Sequence, residues 1–290
     1  MSQIEEWENE AAELLRTKFS RFGFVAFLDL LGFSQVAAKD DEAAIKSIFS
    51  IVKNCREAAR KKLDERDASE VSCCFSDSSN YDDIDISFIS DSIVLHRDLP
   101  QFALDRSNSD YKFNLAFSAF WFIRLVREIF SDLLRKELPS RAAVAYGNYF
   151  WDADTRSIMA GSALIEAHNV SESLAFPGIV CCKSLMCELK EELDEISGAC
   201  SGADRIFIHD FGIPLKGYSS VRNMKGSVVV PNLSSDEIGN PLDFINRQFT
   251  SYGKSVPASF AWNLMDSEKE ALYKRDMSVD VFRRLYPCSQ

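Results

Sequence analysis

The run Phe24-Val25-Ala26-Phe27-Leu28-Asp29-Leu30-Leu31-Gly32-Phe33 limits the fold more than any other stretch of the chain. Apolar residues follow one another with no turn former until Gly32. Such a strand needs cover on both faces and therefore lies inside a sheet, not at its edge. One carboxylate, Asp29, interrupts it where strand gives way to loop. A buried carboxylate without a partner is costly or gives up its charge, so Asp29 calls for a cation. A cap for the following helix is the other role open to it here.

A second stretch, Asp85-Ile86-Ser87-Phe88-Ile89-Ser90-Asp91-Ser92-Ile93-Val94-Leu95, alternates, turns on Ser-Asp-Ser and resumes as an apolar strand. It predicts a hairpin with Asp91 at its tip. If this hairpin pairs beside the Phe24 strand, Asp29 and Asp91 meet at one end of the sheet. Two close carboxylates repel unless a divalent ion sits between them. Hard oxygen ligands with open positions suit Mg²⁺ or Mn²⁺ carrying substrate phosphates.

The 290 residues suit one large domain, or a catalytic domain with an appendage. We expect an N-terminal helix over 1–21, a catalytic domain over 22–200, and an extension over 201–290 packed on the core. No window reaches the roughly 18 apolar residues of a membrane span. No basic segment precedes an apolar one at the N-terminus, so the expectation is a soluble, cytoplasmic protein with no membrane partner. A net charge of −11 argues against duplex nucleic acid as a partner. Eight cysteines, two adjacent pairs among them (Cys73-Cys74 and Cys181-Cys182), lack Cys-x-x-Cys spacing. They read as reduced, mostly buried thiols.

Along the chain, Ile4, Trp7, Ala11, Leu14 and Leu15 form an amphipathic stripe. A helix is predicted from Asp40-Asp41-Glu42 to about Glu65, and loop over 66–83. After the hairpin, a helix from about Phe113 to Lys136 is apolar on nearly all sides, so it is buried or shared between subunits. Pro139 ends it. The strand Arg141–Gly147 follows, with a turn at Asn148 into Tyr149-Phe150-Trp151. A helix opening at Gly161 runs to about Ala175, then a buried strand Ile179–Cys182 and a helix Lys183–Ile196. Short strands (Ile206–His209, Val228–Val230) and helices near 240–252, 257–273 and 278–285 complete the reading. His96 and His209 read as ordinary strand-end residues, and His168 and Glu166 as structural. Gly253-Lys254-Ser255 mimics the end of a phosphate loop, but Gln248 stands where its first Gly is required. The order from 24 to 182 is strand, helix, hairpin, helix, strand, helix, strand: an α+β, ferredoxin-like βαββαβ core with additions.

Phe27-Leu28-Asp29-Leu30-Leu31-Gly32-Phe33, an Asp on a hairpin tip, Arg141-Ala-Ala-Val-Ala-Tyr-Gly147 and a Gly-led helix together resemble the class III nucleotidyl cyclase domain, over about residues 22–185. The resemblance implies that Asp29 and Asp91, helped by the Leu30 carbonyl, hold two divalent ions (Mn²⁺ or Mg²⁺). It implies that Arg141 reaches the triphosphate, with Phe27, Leu30, Gly32, Phe33 and Ser90 also binding substrate. It implies a homodimer with shared sites, the long aromatic helix and residues 149–170 at the interface.

The departures from that pattern matter as much. Purine cyclases place a Lys where Ser87 stands and an Asp where Ile158 stands. Their transition-state Asn and Arg align with Ile165 and Asn169. Without groups that read an adenine edge, adenine has no hydrogen-bonding claim on the site. Helix Gly161–His168 instead resembles the bacterial pyrimidine cyclases of the Pycsar anti-phage systems. That resemblance implies UTP (or CTP) as substrate, cyclic UMP (or cyclic CMP) as product, and a cyclic-nucleotide-activated effector downstream. The competing readings are a catalytically dead nucleotide-sensing dimer and a dimeric interaction protein with an acidic surface. Diguanylate synthesis on a related fold ranks last, because the acidic Gly-Gly turn is missing.

Overall fold

The computed structural model describes residues 20–31, scattered positions between 42 and 61, and residues 84–89, 92–99, 110–152, 159–200, 206–216, 223–250 and 268–286. The expected N-terminal helix and the loop over 66–83 lie outside the described residues. Those described between 42 and 61 are helical, as predicted, and Ile45 and Phe49 pack on the main core.

Strands β1 (Ser20–Leu30), β2 (Ile84–Ile89), β3 (Ser92–Asp98), β4 (Ser140–Trp151), β5 (Met159–Ala160), β6 (Gly178–Cys181), β7 (Phe207–Pro214) and β8 (Asn223–Val229) form one sheet. Its order is β2-β3-β1-β4-β6-β8-β7, with β5 paired to the far end of β4. The first four strands thus stand 2-3-1-4, antiparallel throughout, which is the ferredoxin-like arrangement the element order predicts. β6 joins parallel to β4, and β8 and β7 continue antiparallel beyond it. β1 is internal, as its unbroken apolar run requires. Phe24, Ala26, Leu28 and Leu30 face one core, and Val25 and Phe27 the other.

Helices α1 (Tyr111–Arg135) and α3 (Lys183–Cys200) lie on the first face, and α2 (Ser162–Ser173) covers the second. The chain ends with α4 (Ser235–Ile238), α5 (Pro241–Thr250) and α6 (Glu268–Leu285). α1 closes with the Leu138 amide on Leu133 O (2.9 Å) and the Glu137 amide on Leu134 O (3.0 Å), Glu137 taking a left-handed φ of 57°. Pro139 follows, and its carbonyl accepts the Leu31 amide at 2.9 Å. That bond sets the start of β4 against the end of β1.

Burial of α1 on nearly every side is met within the chain. Arg127 Nε donates to Val230 O at 2.6 Å, Asn232 Nδ2 to Glu128 Oε1 at 2.5 Å, and the Asn232 amide to Ser131 Oγ at 2.7 Å. Its buried polar groups thus anchor the segment after β8, and no second subunit is needed to cover it. Two local expectations are corrected. β4 runs through Asn148 without a turn, Asn148 pairing with Phe22 and Gly147 with Gly23. The break expected between 273 and 278 is bridged by α6, one continuous helix. Cys181 and Cys182 are buried free thiols, while Cys187 is exposed.

His96 also departs from its expected place. It lies inside β3, not at a strand end, beside Trp151 and Tyr149, with Nε2 buried and unbonded. Burial lowers its pKa below the ordinary 6.5, against the opposing pull of Asp85 and Asp98. A group held neutral by the fold contributes stability above its unfolded pKa and loses it as pH falls below that value. Wild-type urea midpoints should therefore drop between about pH 7 and pH 5. His96→Phe, which keeps the ring, should drop less; an equal fall in both proteins would place the acid sensitivity elsewhere.

Candidate active site

β1 sets Asp29 directly between Ser92 of β3 and Arg141 of β4. Side chains alternate along a strand, so Asp29 shares the α2-facing side with Val25 and Phe27. Asp29 and Arg141 are 7% and 6% exposed, and Arg141 Nη2 donates to Asp29 Oδ2 in a buried ion pair. The cation that the Asp29 carboxylate calls for is thus a guanidinium in this state.

Arg141 has further acceptors. Its Nη1 donates to the carbonyls of Glu172 (3.1 Å) and Leu174 (3.4 Å), at the carboxyl end of α2 where carbonyls lack helical partners. Its Nη2 also reaches Glu172 Oε1 at 3.3 Å, while its Nε is buried with no partner. Lys216 Nζ lies 3.7 Å from Glu172 Oε2. Burial pushes the Glu172 carboxyl up, but the charges of Arg141, Lys216 and His168 outweigh it and hold the group below the usual carboxylate range. Two carboxylates and two cations therefore form one cluster, closed inside by Asp29 and open outside through Glu172 and Lys216.

Lys216 is positioned by the segment after β7, which crosses the end of α2. The Lys216 amide donates to Ser173 O (2.7 Å), and the Ala175 amide to Pro214 O (3.1 Å). At the other end, Gly161 opens α2 with φ 123°, and a Cβ there would sit 2.6 Å from Asn148 O. Only glycine accepts that conformation and that approach, so the helix start is pinned to β4.

No family model matches the chain. No curated protein matches it either. Among solved structures the chain is similar to the catalytic core of a rhodopsin-guanylyl cyclase with converted specificity in complex with ATPαS. The identity is 10% and the TM-score 0.41, over 73% of this chain and 97% of that one. At that distance the chemistry of this chain rests on its own residues.

The remaining sequence-predicted residues divide cleanly. Phe27 lies under α2, its ring edge-to-face with His168 at 4.9 Å, and Leu30 is buried in the main core. Gly32, Phe33, Ser90 and Asp91 lie outside the described residues, although Ile89 and Ser92, which flank the hairpin tip, are paired. Ile165 is 58% exposed on α2. Glu166 accepts the Ser184 amide at 3.2 Å, a structural bond as expected. Among the described residues, no three His, Cys, Asp or Glu side chains converge as a metal site. No described helix is long and apolar enough to cross a membrane.

Sequence reasoning missed Glu172 and Lys216. They lie 31 and 75 positions beyond Arg141 on elements with no shared motif, so no spacing announces them. It also missed the contacts of His209. Nε2 of that residue meets Asp194 Oδ1 at 2.5 Å and Nδ1 meets Ser227 Oγ at 2.7 Å. The trio is in line like a nucleophilic triad, but its exposure runs the wrong way, with Ser227 buried and Asp194 about half exposed. It ties β7, β8 and α3 together at the bulge between Ile208 and Phe211.

Proposed function

We propose that the chain is a nucleotide cyclase that converts UTP to 3′,5′-cyclic UMP and pyrophosphate. Asp29 and Asp91 would hold two divalent ions, with help from the Leu30 carbonyl. The observation that carries this reading is the register Ser92–Asp29–Arg141, which sets a buried carboxylate beside a hairpin whose next residue is Asp91. The oxygens fit a divalent ion in kind: Asp29 supplies a carboxylate at a strand end, and Glu172 a second one on the other side of Arg141.

When bound, the ions neutralise phosphate charge and make the ribose 3′-hydroxyl easier to deprotonate. The chain's own residues do the positioning. Asp29 and Asp91 fix where the triphosphate lies, and Arg141 offers a planar fork for phosphate oxygens. By the same resemblance Phe27, Leu30, Gly32, Phe33 and Ser90 would contact the substrate. Ser87 and Ile158 stand where purine cyclases carry a Lys and an Asp, and without those groups adenine has no hydrogen-bonding claim on the site, which favours a pyrimidine. The wider expectations, a homodimer with shared sites and a downstream effector switched by the product in anti-phage defence, follow the same resemblance.

Incubation with each of the four ribonucleoside triphosphates plus Mn²⁺, read by mass spectrometry, should yield cyclic UMP above the other products. Cyclic CMP alone would move the assignment to cytidylate. Predominant cyclic AMP or GMP would overturn the pyrimidine reading, and no cyclic product from any of them would overturn turnover altogether. The second reading, a nucleotide sensor without turnover, is favoured by the engagement of Arg141 with Asp29, Glu172 and two carbonyls. Stabilisation of the fold by a non-hydrolysable UTP analogue with no product from UTP would select it.

A further inference from the structure

We propose that Arg141 is the stand-in cation of the Asp29 site and that Glu172 receives it when a divalent ion takes Asp29. This makes Glu172 a positioning residue for metal entry, and it rests on the reading that Asp29 is a metal ligand.

Asp29 is 7% exposed and cannot keep its charge in the ion-free protein without a counter-charge. Arg141 supplies one, so an arriving ion competes with a guanidinium already in place. A buried guanidinium stripped of all its acceptors would make that exchange prohibitive. Here it keeps a way out: Nη1 stays on the Glu172 and Leu174 carbonyls, and the Glu172 carboxylate is already within reach of Nη2. The partnerless Nε shows that the present acceptors do not exhaust the fork. A small rotation toward Glu172 therefore exchanges one carboxylate for another without leaving the charge unpaired. Lys216, 3.7 Å from the far oxygen of Glu172, gives that carboxylate a second counter-charge and a fixed place.

The test is Mn²⁺ affinity, measured by calorimetry on the full chain in wild type, Glu172→Gln, Arg141→Gln and the double variant, with Asp29→Asn as the site control. Glu172→Gln should weaken Mn²⁺ binding about tenfold, because Arg141 then has no second carboxylate. Arg141→Gln should bind at least as tightly as wild type, its competitor having gone. In that background Glu172→Gln should change little. Equal weakening in both backgrounds would reduce Glu172 to a nearby negative charge and overturn the exchange. No weakening in either would do the same. If Arg141→Gln fails to fold, Arg141→Lys replaces it; a point-charge ammonium cannot bridge both carboxylates, so the Glu172 effect should fall by more than about half. Wild type that binds no Mn²⁺, or Asp29→Asn that binds it unchanged, would sink the metal reading itself and this inference with it. Loss in Asp29→Asn beside an unchanged Glu172→Gln would sink the inference alone.

Discussion

On the two-metal proposal, Asp29→Ala and Asp91→Ala should each leave less than about 1% of wild-type cyclic nucleotide formation, since each change would remove charge neutralisation on which phosphoryl transfer depends. The two variants should differ in stability. Asp29 sits between two neighbouring strands in the interior, bonded to Arg141, so its loss leaves a buried guanidinium leaning on Glu172 and two carbonyls. Asp91 is, by sequence, one of the two residues that join Ile89 to Ser92, where truncation costs little. Product assays on folded fractions, checked by circular dichroism, separate the two effects. More than a few per cent of wild-type product from either folded variant would contradict two-metal catalysis. Asp29→Asn refines the test, because it keeps the shape of the side chain and removes the charge alone.

Arg141→Ala should be the most destabilising single change near the site. It leaves the Asp29 carboxylate buried without its cation, and breaking a buried pair by removing one member costs about 3–5 kcal/mol. In a chain of this length that lowers the thermal midpoint by roughly 10 °C. The double variant Arg141→Ala with Asp29→Asn should recover at least half of the loss, because the orphaned charge has gone. No recovery would mean that the guanidinium serves packing and the α2 carbonyls more than it serves Asp29. Arg141→Lys should fall between wild type and alanine, since one ammonium can meet Asp29 but cannot also hold two carbonyls.

The central strand, the hairpin beside it and the long buried helix were legible because each is specified by local pattern. Phe24 to Leu30 is apolar on both parities, residues 85–95 alternate, turn on Ser-Asp-Ser and resume as an apolar strand, and Tyr111 to Leu134 is apolar on nearly all sides. The 2-3-1-4 order then follows from few alternatives for such an element sequence. Asn148 misled because its type favours turns, whereas cross-strand pairing with Phe22 overrides that preference. Over 274–277 no proline or glycine interrupts the chain, and Lys274, Arg275 and Met277 are good helix formers, so α6 continues through them.

Of the site, Asp29 and Arg141 were legible as a buried carboxylate and a strand-start arginine, and the sheet makes them neighbours. That the nearest cation to Asp29 would be Arg141 was not, because register is settled by the whole pair of strands. Glu172 and Lys216 reach the cluster only through the bridge of Leu174 with Leu215, a pairing across forty residues that no periodicity encodes.

The place of β8 has a consequence for the timing of folding. It lies between β6 and β7, and residues just beyond it satisfy the buried Arg127, Glu128 and Ser131 of α1. A nascent chain therefore lacks those bonds, and β6 lacks its β8 neighbour, until about residue 232 has been made. Pairings between partners so distant in the chain form late and slowly. Completion of the sheet thus waits on the last quarter of the chain.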